Sequence, residues 1–143
     1  MNRSQVGHAG AFLAQFHNCY DGLVRGVRFR YTAAEVHSRA VVVLSVRQST
    51  TLEVNDGWVN VRLAIEHVEE YALKESAKVS CRVLSGGLQI NAFRDLLFFD
   101  FDPYSDEPTG VEDFRRSGFY IAGRSFSWRV GEYSEQHARN KPA

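Results

Sequence analysis

The sequence predicts an all-β fold, mainly antiparallel: a sandwich or partly closed barrel of about eight or nine strands with a short N-terminal helical segment. Three observations predict it. From Leu23 to about position 130 the apolar residues recur with the two-residue rhythm of strands. Turn-forming groups such as Asn55-Asp56-Gly57 and Ser85-Gly86-Gly87 separate the runs. No helical crossover of a dozen or so residues, which parallel pairing would need, interrupts them. The chain of 143 residues is 44% apolar, with ten Phe, six Tyr and two Trp, enough apolar surface to offset the entropy of ordering one domain.

At the amino end, Phe12, Leu13 and Phe16 share a helical face within Val6–Phe16, but Gly7 and Gly10 weaken the helix to one or two turns. In Leu23–Tyr31 the alternation sets Leu23, Arg25, Val27, Phe29 and Tyr31 on one face, and Val24, Gly26, Arg28 and Arg30 on the other. Ala40–Arg47 is apolar on both faces and reads as a central strand. Trp58–Ile65 alternates cleanly, with Val59, Val61, Leu63 and Ile65 inward. Tyr71–Lys74, Val79–Leu84, Leu88–Asn91 and Asp95–Phe101 supply further strands, and Asp102–Ser117 is expected as a long loop. Gly118–Ile121 and Ser125–Val130 are expected as a closing hairpin across Ala122-Gly123-Arg124, with Tyr120 pointing out. Residues 1–133 form the domain, of which 1–21 is helical or irregular; 134–143 is a polar tail, expected to be flexible.

Charge limits the functional classes. Seventeen basic residues balance seventeen acidic ones, so no global attraction draws the chain to nucleic acid or to an anionic membrane, and neither is expected as a partner. Its apolar runs are far shorter than the roughly 20 residues of a membrane span, and the amino end has no signal-peptide core. A cytoplasmic protein is expected, with Cys19 and Cys81 as reduced, buried thiols.

Seven acids, Asp95, Asp100, Asp102, Asp106, Glu107, Glu112 and Asp113, fall within nineteen residues that contain no Lys or Arg. The stretch lacks the glycine and terminal Glu of an EF-hand loop, so a cation site is not expected there. A docking surface for a basic protein partner is. Asp100, Asp102, Tyr104, Asp106, Glu107, Glu112, Asp113 and Tyr120 are its candidate residues, because exposed aromatics carry much of an interface's energy. Trp58 is an alternative aromatic for the same patch. Arginine outnumbers lysine 14 to 3. Arg28 and Arg30 share a strand face, and Arg39, Arg47 and Arg62 are near in sequence. Their plain role is cross-strand pairing with Glu53, Glu66, Glu69 or Glu70.

The five histidines lack metal-ligand spacing, so no metal or other cofactor is expected. His17 and Cys19 would make a nucleophilic pair only with a thiolate, for which the sequence offers no cause. No nucleophile elbow, phosphate loop or dinucleotide fingerprint occurs.

Phe16-His17-Asn18-Cys19, Leu63-Ala64-Ile65-Glu66-His67-Val68 and Tyr120-Ile121-Ala122-Gly123 occur in the order of three short motifs: a Phe-His-Asp start, a Leu-x-Phe-x-x-Val strand and a Tyr-x-x-Gly hairpin. In these the chain resembles small bacterial all-β proteins of unknown function that include immunity proteins of polymorphic toxin systems. It departs from the motifs at Asn18 and Ile65. The resemblance implies non-enzymatic neutralisation of a toxin and carries no catalytic residues. The alternatives are a small-molecule-binding barrel, or minor enzyme, with a site at its mouth, and a homo-oligomer paired through an edge strand.

Overall fold

The computed structural model describes residues 3–32, 37–48, 57–75, 82–103 and 110–132. The chain begins with α1 (Arg3–Gln15) and a single 3-10 turn (His17–Cys19). Nine strands follow: β1 (Gly22–Thr32), β2 (His37–Arg47), β3 (Trp58–Glu66), β4 (Glu70–Leu73), β5 (Val83–Leu84), β6 (Gln89–Phe93), β7 (Leu96–Asp100), β8 (Phe119–Gly123) and β9 (Ser125–Glu132). A five-residue helix, α2 (Val111–Arg115), lies between β7 and β8. The strands form a five-stranded sheet, ordered β5-β1-β2-β3-β9, and a four-stranded sheet, ordered β4-β8-β7-β6. Every pairing is antiparallel. The two sheets make a sandwich, and no barrel closes.

The main core lies between the layers. Val42, Leu44, Val61, Leu63 and Ile65 of the larger sheet meet Leu97, Phe99, Phe119 and Ile121 of the smaller. One flank is filled by α1, whose Phe12 ring lies 5.1 Å from Trp128 and 6.2 Å from Phe126. That burial explains a helix of 13 residues where Gly7 and Gly10 had predicted one or two turns: tertiary packing outweighs local propensity. At another flank Phe29 of β1 stacks on Tyr71 of β4 at 4.0 Å.

Three further expectations are corrected. First, Ser125–Val130 does not fold back on the preceding strand. β8 pairs with β4 and β7, whereas β9 pairs with β3 in the other sheet. The chain crosses layers at Gly123, where a Cβ would come within 2.6 Å of Ile65 and 2.8 Å of the Glu66 carbonyl oxygen. The Arg124 N–H then donates to that same carbonyl. Second, Asp102–Ser117 is not wholly loop. Phe114 of α2 packs on Phe98 and Tyr120 on the outer side of the smaller sheet, forming a second small core with Ala122. Third, β1 does not alternate uninterrupted. A bulge between Val24 and Gly26 takes up one residue, so Val24 joins Val27 and Phe29 against the core. Tyr31, expected on that inward face, is 86% exposed at the strand's end.

Candidate functional site

The outer face of the five-stranded sheet is built by strand parity. Val42, Leu44 and Val46 turn inward, so Arg39, Val41, Val43, Ser45 and Arg47 turn outward on β2. In register with them, β3 presents Trp58, Asn60, Arg62, Ala64 and Glu66, and β9 presents Ser125, Ser127, Arg129 and Gly131. The bulge on β1 has its consequence here. Plain alternation separates Arg25 from Arg28 and Arg30; the extra residue brings all three to the outer face. Arg25 confirms its place by donating from Nε to Ser45 Oγ at 2.8 Å, and the Ser45 hydroxyl donates in turn to Asn60 Oδ1 at 2.7 Å.

Seven arginines therefore share one face: Arg25, Arg28, Arg30, Arg39, Arg47, Arg62 and Arg129. Glu66 is the acid the register places among them, and its Oε1 lies 2.8 Å from Arg39 Nε, the cross-strand pair expected from the sequence. The Arg47 guanidinium sits 5.3 Å from the centre of the Trp58 ring. Two cross-strand positions set like charges opposite each other: Arg62 against Arg129, and Arg30 against Arg39. Opposed like charges destabilise a sheet. Among the described residues, no ion pair relieves Arg28, Arg30, Arg62 or Arg129. Val41 and Ala64, each 6% exposed, make a low apolar floor between the arginines. At a strand spacing of about 4.8 Å and a rise of about 3.3 Å per residue, the face from β1 to β9 and from Arg39 to Arg47 measures about 15 by 27 Å.

Of the residues expected to form an acidic docking surface, the described ones are not all at the surface. Asp100 is 2% exposed and Tyr120 6%, the latter packed in the cluster with Phe114 of α2, so neither is on the surface. Asp100 Oδ1 accepts from the Asp102 N–H at 3.0 Å, and burial raises its carboxyl above the ordinary carboxylate value, opposed by hydrogen bonding with Ser117. The Tyr120 hydroxyl donates to Glu70 Oε2 at 2.6 Å; burial, then this bond, pushes the phenol up to about 12. Arg115 of α2 clasps the same Glu70 through Nε and Nη2 at 2.9 and 3.0 Å and reaches Glu112 through Nη1 at 2.8 Å. Its hydrogen bond holds the Glu70 carboxyl below its ordinary value. Glu112 thus serves the clasp that seats α2. Asp102 is exposed and Asp113 half-buried. Tyr104, Asp106 and Glu107 lie outside the described residues, as do Glu53, Cys81 and the 134–143 tail. Trp58 is on the opposite layer from Asp100.

The imagined Cys19–His17 pair is not a nucleophile. Cys19 is fully buried, and desolvation pushes its thiol up to about 12. His17 points to solvent. Among the described residues no three His, Cys, Asp or Glu side chains gather as a metal site would require. Among the described residues no helix is long and apolar enough to cross a membrane.

The arginine face was within partial reach of the sequence. Period-two strands put Arg28 with Arg30 and Arg39 with Arg47, but the bulge and the strand order were needed to bring the sets together. Compared with known proteins, the chain matches no family model, no curated protein and no solved structure.

Proposed function

We propose that this chain is a non-enzymatic binding module that docks an acidic protein surface on the outer face of its five-stranded sheet. The observation that carries the reading is Arg62 directly opposite Arg129 on an exposed, arginine-dominated face. A sheet retains such a repulsive pair at a cost in stability, and an incoming carboxylate between the two guanidinium groups reverses its sign. Arginine and tryptophan over a low apolar floor is the composition of interface hot spots. A nucleic acid is the weaker fit. The chain as a whole is neutral, and the one aromatic ring on the described part of the face is already covered by Arg47, leaving no row of bases a stacking platform. The resemblance to immunity proteins gives the binding a purpose: the partner is a toxin, neutralised in the cytoplasm by covering its surface. The partner's sign follows the arginine face rather than the acidic segment, because Asp100 and Tyr120 are buried and Glu112 is held by Arg115.

Fluorescence anisotropy with a labelled Asp/Glu-rich peptide, with a single-stranded oligonucleotide as competitor, tests the proposal on wild type and Arg62→Glu. The substitution places an acid opposite Arg129, so it is expected to stabilise the fold by about 0.2–1 kcal/mol. It is also expected to weaken peptide binding about tenfold, or about 1.4 kcal/mol. Gain of stability with loss of binding cannot come from unfolding. Peptide binding indifferent to Arg62→Glu, or an oligonucleotide that binds more tightly than the peptide, overturns the reading.

A further inference from the structure

A second site lies away from the arginine face, where the turn after α1 meets β6, the edge strand of the smaller sheet. The backbone there is unusual. His17, Asn18, Cys19 and Asp21 all adopt positive φ, at 52, 56, 60 and 59°. Such angles in non-glycine residues are costly and persist where surrounding contacts enforce them. Here the contacts are explicit. The Asn18 carbonyl accepts from the Leu88 N–H at 2.8 Å, and the Asp21 N–H donates to the Leu84 carbonyl at 2.8 Å. Gly87, at φ 76°, lets the turn approach so closely that a Cβ there would lie 2.6 Å from the Asn18 oxygen and 3.2 Å from the Tyr20 ring. The strain thus clamps Asn18 and Tyr20 against the β5–β6 loop.

Between them is a cleft of about 250 Å³. Its polar residues are Asn18, Gln89, Asn91 and Tyr20, and its apolar ones are Leu13, Leu88 and Ile90. No Asp, Glu, Lys, Arg or His lines it. The Gln89 side-chain oxygen is buried and has no hydrogen-bond donor. A buried acceptor left in that state costs free energy. Tyr20 is 53% exposed, so much of its ring remains uncovered at the mouth.

We propose that this cleft binds a neutral sugar, one ring at a time. An uncharged lining gives no purchase to phosphate, carboxylate or ammonium. Carboxamides both donate and accept, which matches hydroxyls that do the same. One aromatic ring beside them covers the C–H face of a pyranose, whereas a planar base would call for a second face to complete a slot. The volume is near the lower end of small-molecule sites, about 300 Å³, which limits the occupant to about one ring.

The test is a heteronuclear NMR titration of the full chain with a panel of neutral monosaccharides, with adenosine as the planar comparison. Millimolar binding is expected, with shifts centred on Asn18, Tyr20 and the Gly86–Asn91 segment. Gln89→Ala and Asn91→Ala are each expected to weaken it about tenfold, the loss of about one hydrogen bond. Both substitutions are at a sheet edge, and an unchanged amide spectrum elsewhere verifies the fold. Arg62→Glu, on the other layer, is expected to leave sugar binding intact, so the two proposals fail separately. No shifts at millimolar sugar, binding unaffected by both substitutions, or preference for adenosine overturns the proposal.

Discussion

Phe114→Ala isolates the part of the fold that covers Tyr120. Phe114 is fully buried and anchors a helix of five residues to the outer side of the smaller sheet. Its ring stacks on Phe98 at 4.9 Å and meets Phe93 edge-on at 5.5 Å. Two such contacts contribute about 0.5–1.5 kcal/mol each beyond area burial. Truncation of a buried Phe costs about 3–5 kcal/mol in total, the remainder being lost transfer energy and the cavity. The second core holds four buried residues, Phe98, Phe114, Tyr120 and Ala122, so α2 is expected to undock rather than preserve a void. Undocking caps the loss near the lower end, about 3 kcal/mol. With a urea dependence of about 2 kcal/mol/M, that lowers the unfolding midpoint by about 1.5 M. Hydrogen exchange should show the loss to be local. Amides bonded within α2 and its exit, Asp113, Arg116 and Ser117, are expected to lose protection altogether, while Val42, Leu44 and Leu63 stay protected, lowered only by the global loss of about 3 kcal/mol. A loss under about 1 kcal/mol refutes Phe114 as the anchor. Protection in α2 and its exit that falls no further than in β1, β2 and β3 refutes the separateness of the second core.

Burial raises the Asp100 carboxyl, so the folded state favours its neutral form. Its contribution is full below the unfolded value, near 3.9, and is lost as pH rises through the higher folded value. Asp100→Asn removes that titration while keeping the acceptor for Asp102, and its stability relative to wild type is expected to rise from pH 3 to pH 7; a difference that stays flat in urea titrations refutes it. Cys19 is expected to resist alkylation in the native state near pH 8 and to react once the chain is unfolded; rapid native labelling by mass spectrometry would contradict its burial. Two glycines are expected to answer in opposite directions. Gly10→Ala meets nothing within 4 Å and should stabilise α1 by about 0.5–1 kcal/mol. Gly87→Ala drives a Cβ into the Asn18 carbonyl and should lower the melting temperature, with the two scans compared directly.

Much of this protein was legible in its chain. The period-two runs marked the strand-rich body, and the paired apolar faces of Ala40–Arg47 marked the middle of a sheet, where β2 lies between β1 and β3. Local sequence carries such information because alternation and turn chemistry act over a few residues. The signal for α2 was present but short: Glu112 and Asp113 in its first turn, Arg115 in its last, and Val111 and Phe114 three apart. Embedded between prolines and acids, five residues are too few for periodicity to outweigh composition.

What tertiary structure alone decided is pairing and phase. Whether Ser125–Glu132 lies beside Phe119–Gly123 or crosses to the other layer depends on a close approach of Gly123 to Ile65, 58 positions away in the chain and absent from any local pattern. Whether Arg25 stands with Arg28 and Arg30 depends on a bulge fitted against β2. Whether Tyr120 meets solvent depends on a short helix packed against it. Side-chain alternation is set within a strand, but partners, bulges and covering layers are chosen by the summed burial of distant segments, and that sum exists only in the folded chain.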